Sequence, residues 1–91
     1  MTIYQRPAFA RALRRLSADQ QEAVRQKARK AAGVLGKPHL HAGVSLRSFG
    51  RYLEFRVGLD LRCLFLLEGG DMHLIAVGSH DQIAAYVRNN G

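Results

Sequence analysis

The stretch YLEFRVGLDLRCLFLLEGGDMHLIAV, residues 52–77, decides the fold. Leu53, Phe55 and Val57 alternate with Tyr52, Glu54 and Arg56, the period of a strand buried on one face. Gly58-Leu59-Asp60 is turn-like. Leu61–Leu67 follows as a nearly continuous apolar strand, which suits a central position covered on both sides. Glu68-Gly69-Gly70-Asp71 is a strong hairpin signal, and Met72–Val77 completes the second hairpin. An earlier strand is expected over Val44–Phe49.

Upstream the period changes from two to that of a helix. Phe9, Ala12, Leu13 and Leu16 recur at helical spacing behind Pro7, a residue suited to a first turn, while Arg11, Arg14 and Arg15 fall on the other side. Ser17-Ala18-Asp19-Gln20 has the form of a capping box and starts a second helix. Val24, Ala28, Ala31 and Leu35 carry its apolar stripe until Gly33 and Gly36 weaken and end it. Thr2–Tyr4 reads as an edge strand. Downstream, Ser79-His80-Asp81-Gln82 repeats the box before Ile83, Ala84 and Val87, so a short final helix is expected. The order is α+β: a helical hairpin packed on a mostly antiparallel sheet of four strands, or five with the N-terminal edge, then a short C-terminal helix. The 91 residues form one domain, 1–91.

Charge divides the chain in two. Residues 1–37 hold nine Lys and Arg against Asp19 and Glu22, whereas residues 38–91 balance five arginines with five acids. The whole net charge of +7 therefore lies on the helical half, which implies a polyanionic or acidic partner. The longest apolar run, Cys63–Leu67, is far below the ~20 residues of a membrane span, and residues 1–16 lack a signal-peptide core. A cytoplasmic protein is expected. Cys63 is the one cysteine, which excludes an internal disulfide, and no Cys/His spacing suits zinc.

The two turns give a register. Folding back around Gly58–Asp60 brings Arg56 near Arg62; folding back around Gly69-Gly70 brings Arg62 near Val77–Gly78, two residues before His80. Arg47, on the preceding strand, joins them. Guanidinium groups bind phosphate oxygens and stabilise added negative charge, and an imidazole exchanges a proton near neutrality. Together they form a set suited to phosphodiester cleavage without a metal or other cofactor. Read singly, each arginine is a solvated charge or ion-pair partner, and His80 is a turn residue.

Taken in order, Leu46-Arg47 before Gly50, Tyr52–Gly58, Arg62-Cys63-Leu64-Phe65 and Val77-Gly78-Ser79-His80 resemble the RelE/ParE superfamily of bacterial toxins. The resemblance spans residues ~6–90, with Leu61 and Cys63 departing from the usual tyrosine and β-branched residue beside the second arginine. It implies the toxin of a type II toxin–antitoxin system, an endoribonuclease cleaving mRNA, in many members on the ribosome. The 2′-hydroxyl attacks the adjacent phosphate.

By position, the resemblance implies that Arg62 holds the scissile phosphate and Arg56 supports it. His80 matches the histidine that serves as acid or base in the YoeB- and YafQ-like branches. Glu54 is a second proton carrier or an ion-pair partner of Arg56. Tyr86 stands in for a tyrosine of other branches or packs beside Ile83 and Val87. His39 and His41 fall where some members keep histidines, and read otherwise as loop residues; His73 is given no role. Arg47 and Arg51 are substrate contacts, and Arg11 and Arg15, with Arg14, Arg25 and Arg29, bind ribosomal RNA or the acidic antitoxin. The expected partners are that antitoxin, in a hetero-oligomer, and mRNA with the ribosome; no membrane is expected. Two alternatives remain: a ParE-like toxin that inhibits DNA gyrase without chemistry, and a basic RNA-binding domain. Gyrase-poisoning members usually lack a histidine at the His80 position.

Overall fold

The computed structural model describes residues 1–35 and 46–90. The order of elements is β1 (Ile3–Gln5), α1 (Pro7–Arg14), α2 (Ala18–Val34), β2 (Arg47–Phe49), β3 (Tyr52–Val57), β4 (Leu61–Glu68), β5 (Asp71–Gly78) and α3 (His80–Asn90). The strands form one five-stranded sheet in the order β1-β5-β4-β3-β2. Three pairings are antiparallel, and β1 alone runs parallel, beside β5. The N-terminal edge strand is thus present. Of the strand expected over Val44–Phe49, Arg47–Phe49 is observed and residues 44 and 45 lie outside the described residues, as do His39 and His41.

Local chemistry sets the boundaries. Pro7 opens α1 without a side-chain cap, since a missing N–H costs nothing in a first turn. The helix stops at Arg14 and not at Leu16, because the N–H groups of Arg15 and Leu16 bond back three residues to Ala12 and Leu13. That tight turn delivers Ser17 to cap α2. Gln20 N donates to Ser17 Oγ and Ser17 N donates to Gln20 Oε1, both at 3.1 Å. Between β4 and β5, Gly69 and Gly70 have φ of 59° and 81°. Two successive left-handed residues are what a two-residue type I′ hairpin turn demands, and glycine adopts both without strain.

The sheet carries a core on each face. On one, Phe9 and Leu13 of α1 and Val24, Ala28 and Ala31 of α2 close over Phe55, Cys63, Phe65, Met72 and Leu74. On the other, Ile83 of α3 packs with Tyr52, Leu64 and Ile75. β4 therefore gives Cys63 and Phe65 to one core and Leu64 to the other, as its unbroken apolar run implies. Each such fully buried side chain contributes about 1.5–3 kcal/mol by its removal from water. The α3 face is the thinner of the two, and its uncovered end is where the charged residues gather.

One irregularity shapes that end. Phe65 pairs with Leu74, but Leu64 pairs with Ala76, so β5 holds an extra residue, Ile75, in a bulge. Regular pairing carried on from Phe65 and Leu74 would set Val77 opposite Arg62. The bulge shifts the partner to Gly78 and turns Ile75 and Ala76 to the α3 face together.

Candidate active site

Because Phe55, Val57 and Cys63 fill the hairpin side, strand alternation sends Glu54, Arg56 and Arg62 to the α3 side. Register then makes them neighbours. Arg47 opposes Glu54, Arg56 opposes Arg62, and Arg62 opposes Gly78 on its other flank. Opposed Cβ atoms lie ~5 Å apart, so three arginines from three consecutive strands share one corner of the sheet. Gly78 lacks a Cβ, and the space one would take is filled by the Gln82 side chain.

Like charges directly opposed repel, and the compensating charge is Glu54. It is the one charged side chain fully buried among the described residues. Arg62 Nη1 donates to Glu54 Oε1 at 3.0 Å, and Arg47 Nε lies 3.7 Å from the same oxygen. Arg62 is itself largely sequestered, its side chain 14% exposed against 54% for Arg47. The expected pairing of Glu54 with Arg56 is not found. Residues two apart on a strand stand ~6.6 Å apart and point in parallel, whereas Arg47 lies directly across and Arg62 diagonally across, within reach of a long side chain. Arg56 is left exposed and enters no ion pair among the described residues.

His80 stands at the same end of the sheet. β5 ends at Gly78, Ser79 caps the helix, and His80 is the exposed first residue of α3. Ser79 N donates to Gln82 Oε1 at 2.8 Å and Gln82 N donates to Ser79 Oγ at 3.1 Å, the capping box read from the sequence. Ser79 alone thus separates His80 from the Gly78 that flanks Arg62.

Other candidates lie elsewhere. Tyr86 packs edge-on against Tyr52, ring centroids 5.9 Å apart, at the far end of β3 from Arg56, ~13 Å along the strand. Burial, reinforced by Tyr52, raises its phenol above the ordinary value, which moves it further from ionisation. Arg51 is at that far end too; its Nη2 donates to Tyr52 Oη at 3.1 Å and its guanidinium lies over the Tyr52 ring. Tyr52 Oη in turn donates to the carbonyl of Asn90 at 3.2 Å, pinning the end of α3. His73 stacks on Tyr4 near the opposite edge, with centroids 5.0 Å apart.

The basic residues Arg11 and Arg15 are exposed on the α1–α2 side, across the sheet from Arg62. That side also holds an apolar cleft of about 280 Å³ between the helical hairpin and β1, lined by Ile3, Phe9, Leu13 and Val24 and rimmed by Arg25 and Arg29. The buried Cys63 thiol is pushed up by burial and by the nearby Glu54 carboxylate, so it is not a nucleophile at neutral pH. No cluster of potential metal ligands occurs among the described residues. No described helix is long and apolar enough to cross a membrane.

Two features of this corner escape sequence reading. The bulge at Ile75 leaves no signature in an apolar strand, and the Glu54–Arg62 contact is diagonal, so neither turn specifies it.

No protein-family profile and no curated protein sequence matches the chain. Solved structures do. A chain of the RelB-RelE antitoxin-toxin complex from Methanococcus jannaschii superposes with a TM-score of 0.67 at 13% identity, over 91% of this chain and 96% of that one. The isolated E. coli RelE toxin gives 0.58 at 18% identity, over 97% of both chains. A chain of the intact E. coli RelBE toxin-antitoxin complex gives 0.59 at 18%, over 86% and 94%. At these identities the likeness is one of fold: the chain has the fold of the RelE toxins.

Proposed function

We propose, with that fold as premise, that the protein is the toxin of a type II toxin–antitoxin pair and an endoribonuclease acting on mRNA. The observation that carries this reading is the corner itself: Arg56 and Arg62 in register, Gly78 beside them and His80 two residues on. The reaction is a transfer within the RNA. The 2′-hydroxyl loses its proton and its oxygen bonds to the adjacent phosphorus, the bond from phosphorus to the 5′-oxygen breaks, and that oxygen takes a proton. The products are a 2′,3′-cyclic phosphate and a 5′-hydroxyl.

Negative charge grows on the nonbridging oxygens in the transition state. Arg62, fixed by its ion pair, and the exposed Arg56 are the donors that meet it. His80 moves one of the two protons, as an imidazole with an ordinary value of ~6.5 can do near neutrality. The partner is an acidic antitoxin; the RelB-RelE complexes among the structural neighbours support such a partner. The basic α1–α2 side suits that antitoxin or ribosomal RNA.

The test is incubation of the protein with RNA in EDTA. Fragments ending in cyclic phosphate are expected. Intact RNA would overturn the reading, and altered plasmid supercoiling in the same preparation would transfer it to topoisomerase inhibition.

A further inference from the structure

We propose that Glu54 is a positioning residue: a buried counter-ion that aims Arg62 at the phosphate and carries no proton itself. This rests on the reading above for the reaction, though not for the geometry. Glu54 is fully buried, and among the described residues only one of its oxygens is used. Oε1 accepts from Arg62 Nη1 and faces Arg47 Nε, while Oε2 has no hydrogen-bond partner among the described residues. A carboxylate removed from water costs several kcal/mol, and a pair of well-packed apolar residues is often as stable as a buried ion pair. Stability is thus a poor account of this residue. Its effect on Arg62 is a better one.

A guanidinium has five N–H donors in a fixed plane. Anchoring Nη1 to a buried oxygen sets that plane and leaves the remaining donors for a ligand on the open side, where Arg56 and Gly78 flank it. A general base must come within ~2.6–3.2 Å of the proton it takes. Glu54, with its carboxylate closed off beneath Arg62 and Arg47, acts on a substrate only through those arginines.

Glu54 also sets the charge. With it the corner holds three guanidinium groups and one carboxylate; without it, three unopposed cations. Glu54→Gln keeps the shape and one acceptor oxygen but removes the charge that fixes Arg62. The variant should bind a polyanion at least as tightly while orienting it worse. That predicts a split: KM unchanged or lower, kcat lower by about 10- to 100-fold, the scale of a small misplacement of a reacting group. The pH–rate profile should keep both limbs.

The experiment measures kcat, KM and the pH profile of Glu54→Gln on a short RNA, beside two readouts independent of cleavage. One is the Arg62 guanidinium NMR signal, expected as separate, slowly averaging Nη resonances in the wild type and collapsed in the variant. The other is titration with a 2′-deoxy-blocked oligonucleotide, expected to bind the variant with equal or higher affinity. Loss of a pH limb in the variant would make Glu54 a proton carrier and overturn the proposal, as would unchanged kcat or a freely rotating Arg62 in the wild type. If wild-type protein leaves RNA intact, the ribonuclease reading fails, and the NMR and binding readouts still decide whether Glu54 positions Arg62.

Discussion

Gly78 and Gln82 occupy touching space: a Cβ on Gly78 would stand 2.5 Å from Gln82 Oε1 and 3.2 Å from its Cβ. The strand residue that flanks Arg62 therefore has to be glycine for the Gln82 side chain to reach back to Ser79 N. Gly78→Ala is expected to expel Gln82 from the cap, at about 0.5–2 kcal/mol. In a domain of this size a loss of ~1 kcal/mol lowers Tm by roughly 4–8 °C, which calorimetry resolves. Cleavage should fall further than that loss explains, because His80 is held by the same turn. Wild-type Tm and rate together would show that the junction yields freely.

Arg62→Ala should lower the single-turnover rate by ~10²–10³, the scale of losing one preorganised donor to transition-state charge. His80→Ala should cost about 10²–10⁴ and remove one limb of the pH–rate profile, while antitoxin binding persists. A folded His80→Ala protein that cleaves at the wild-type rate would take the proton transfer away from this residue.

Tyr86 serves as a contrast. Its raised phenol pKa and its packing on Tyr52 assign it to the core under α3. Tyr86→Phe should cleave within a few-fold of wild type, and Tyr86→Ala should lose about 1–3 kcal/mol of stability by denaturant unfolding. A large rate loss in Tyr86→Phe with unchanged stability would return it to the chemistry.

Cys63 gives a pH signature. Burial holds its thiol above the ordinary value of 9.0, so the native chain keeps the proton when the unfolded chain releases it. This contribution is complete below pH 9 and is lost as pH rises beyond it. Cys63→Ala should flatten the alkaline fall in stability, and a thiol reagent should label the wild type only on unfolding. Rapid labelling of the native protein would contradict the burial.

On the α1–α2 side, neutralising Arg11, Arg15, Arg25 and Arg29 should weaken antitoxin or ribosome binding and reduce its salt dependence. Single-turnover cleavage of a short free RNA should not change, since the sheet separates that surface from Arg62. Binding unchanged at every salt concentration would mark it as ordinary solvated surface. Saturating antitoxin at 100 times its Kd should add about 2.7 kcal/mol to stability.

Periodicity and turn chemistry were enough to read both helices of the hairpin, all the long strands and both capping boxes, because each is set by residues within a few positions of one another. The opposition of Arg56 and Arg62 follows from the short turn between them. What the sequence hides is side-chain partnership across strands. Glu54 has arginines on three sides, and only the packed sheet decides that Arg62 and Arg47 take it while Arg56 does not.

The unpaired residue at Ile75 lets the strand differ in length by one without moving the site. Deleting Ile75 would let regular pairing run on from Phe65–Leu74 to Leu64–Ala76, leave Val77 and Gly78 on their present faces and keep Gly78 against Arg62. A one-codon deletion at the bulge would therefore remove a buried side chain from under α3 and still keep the corner. An alignment of distant relatives that closes a gap here would compare the wrong residue with Gly78.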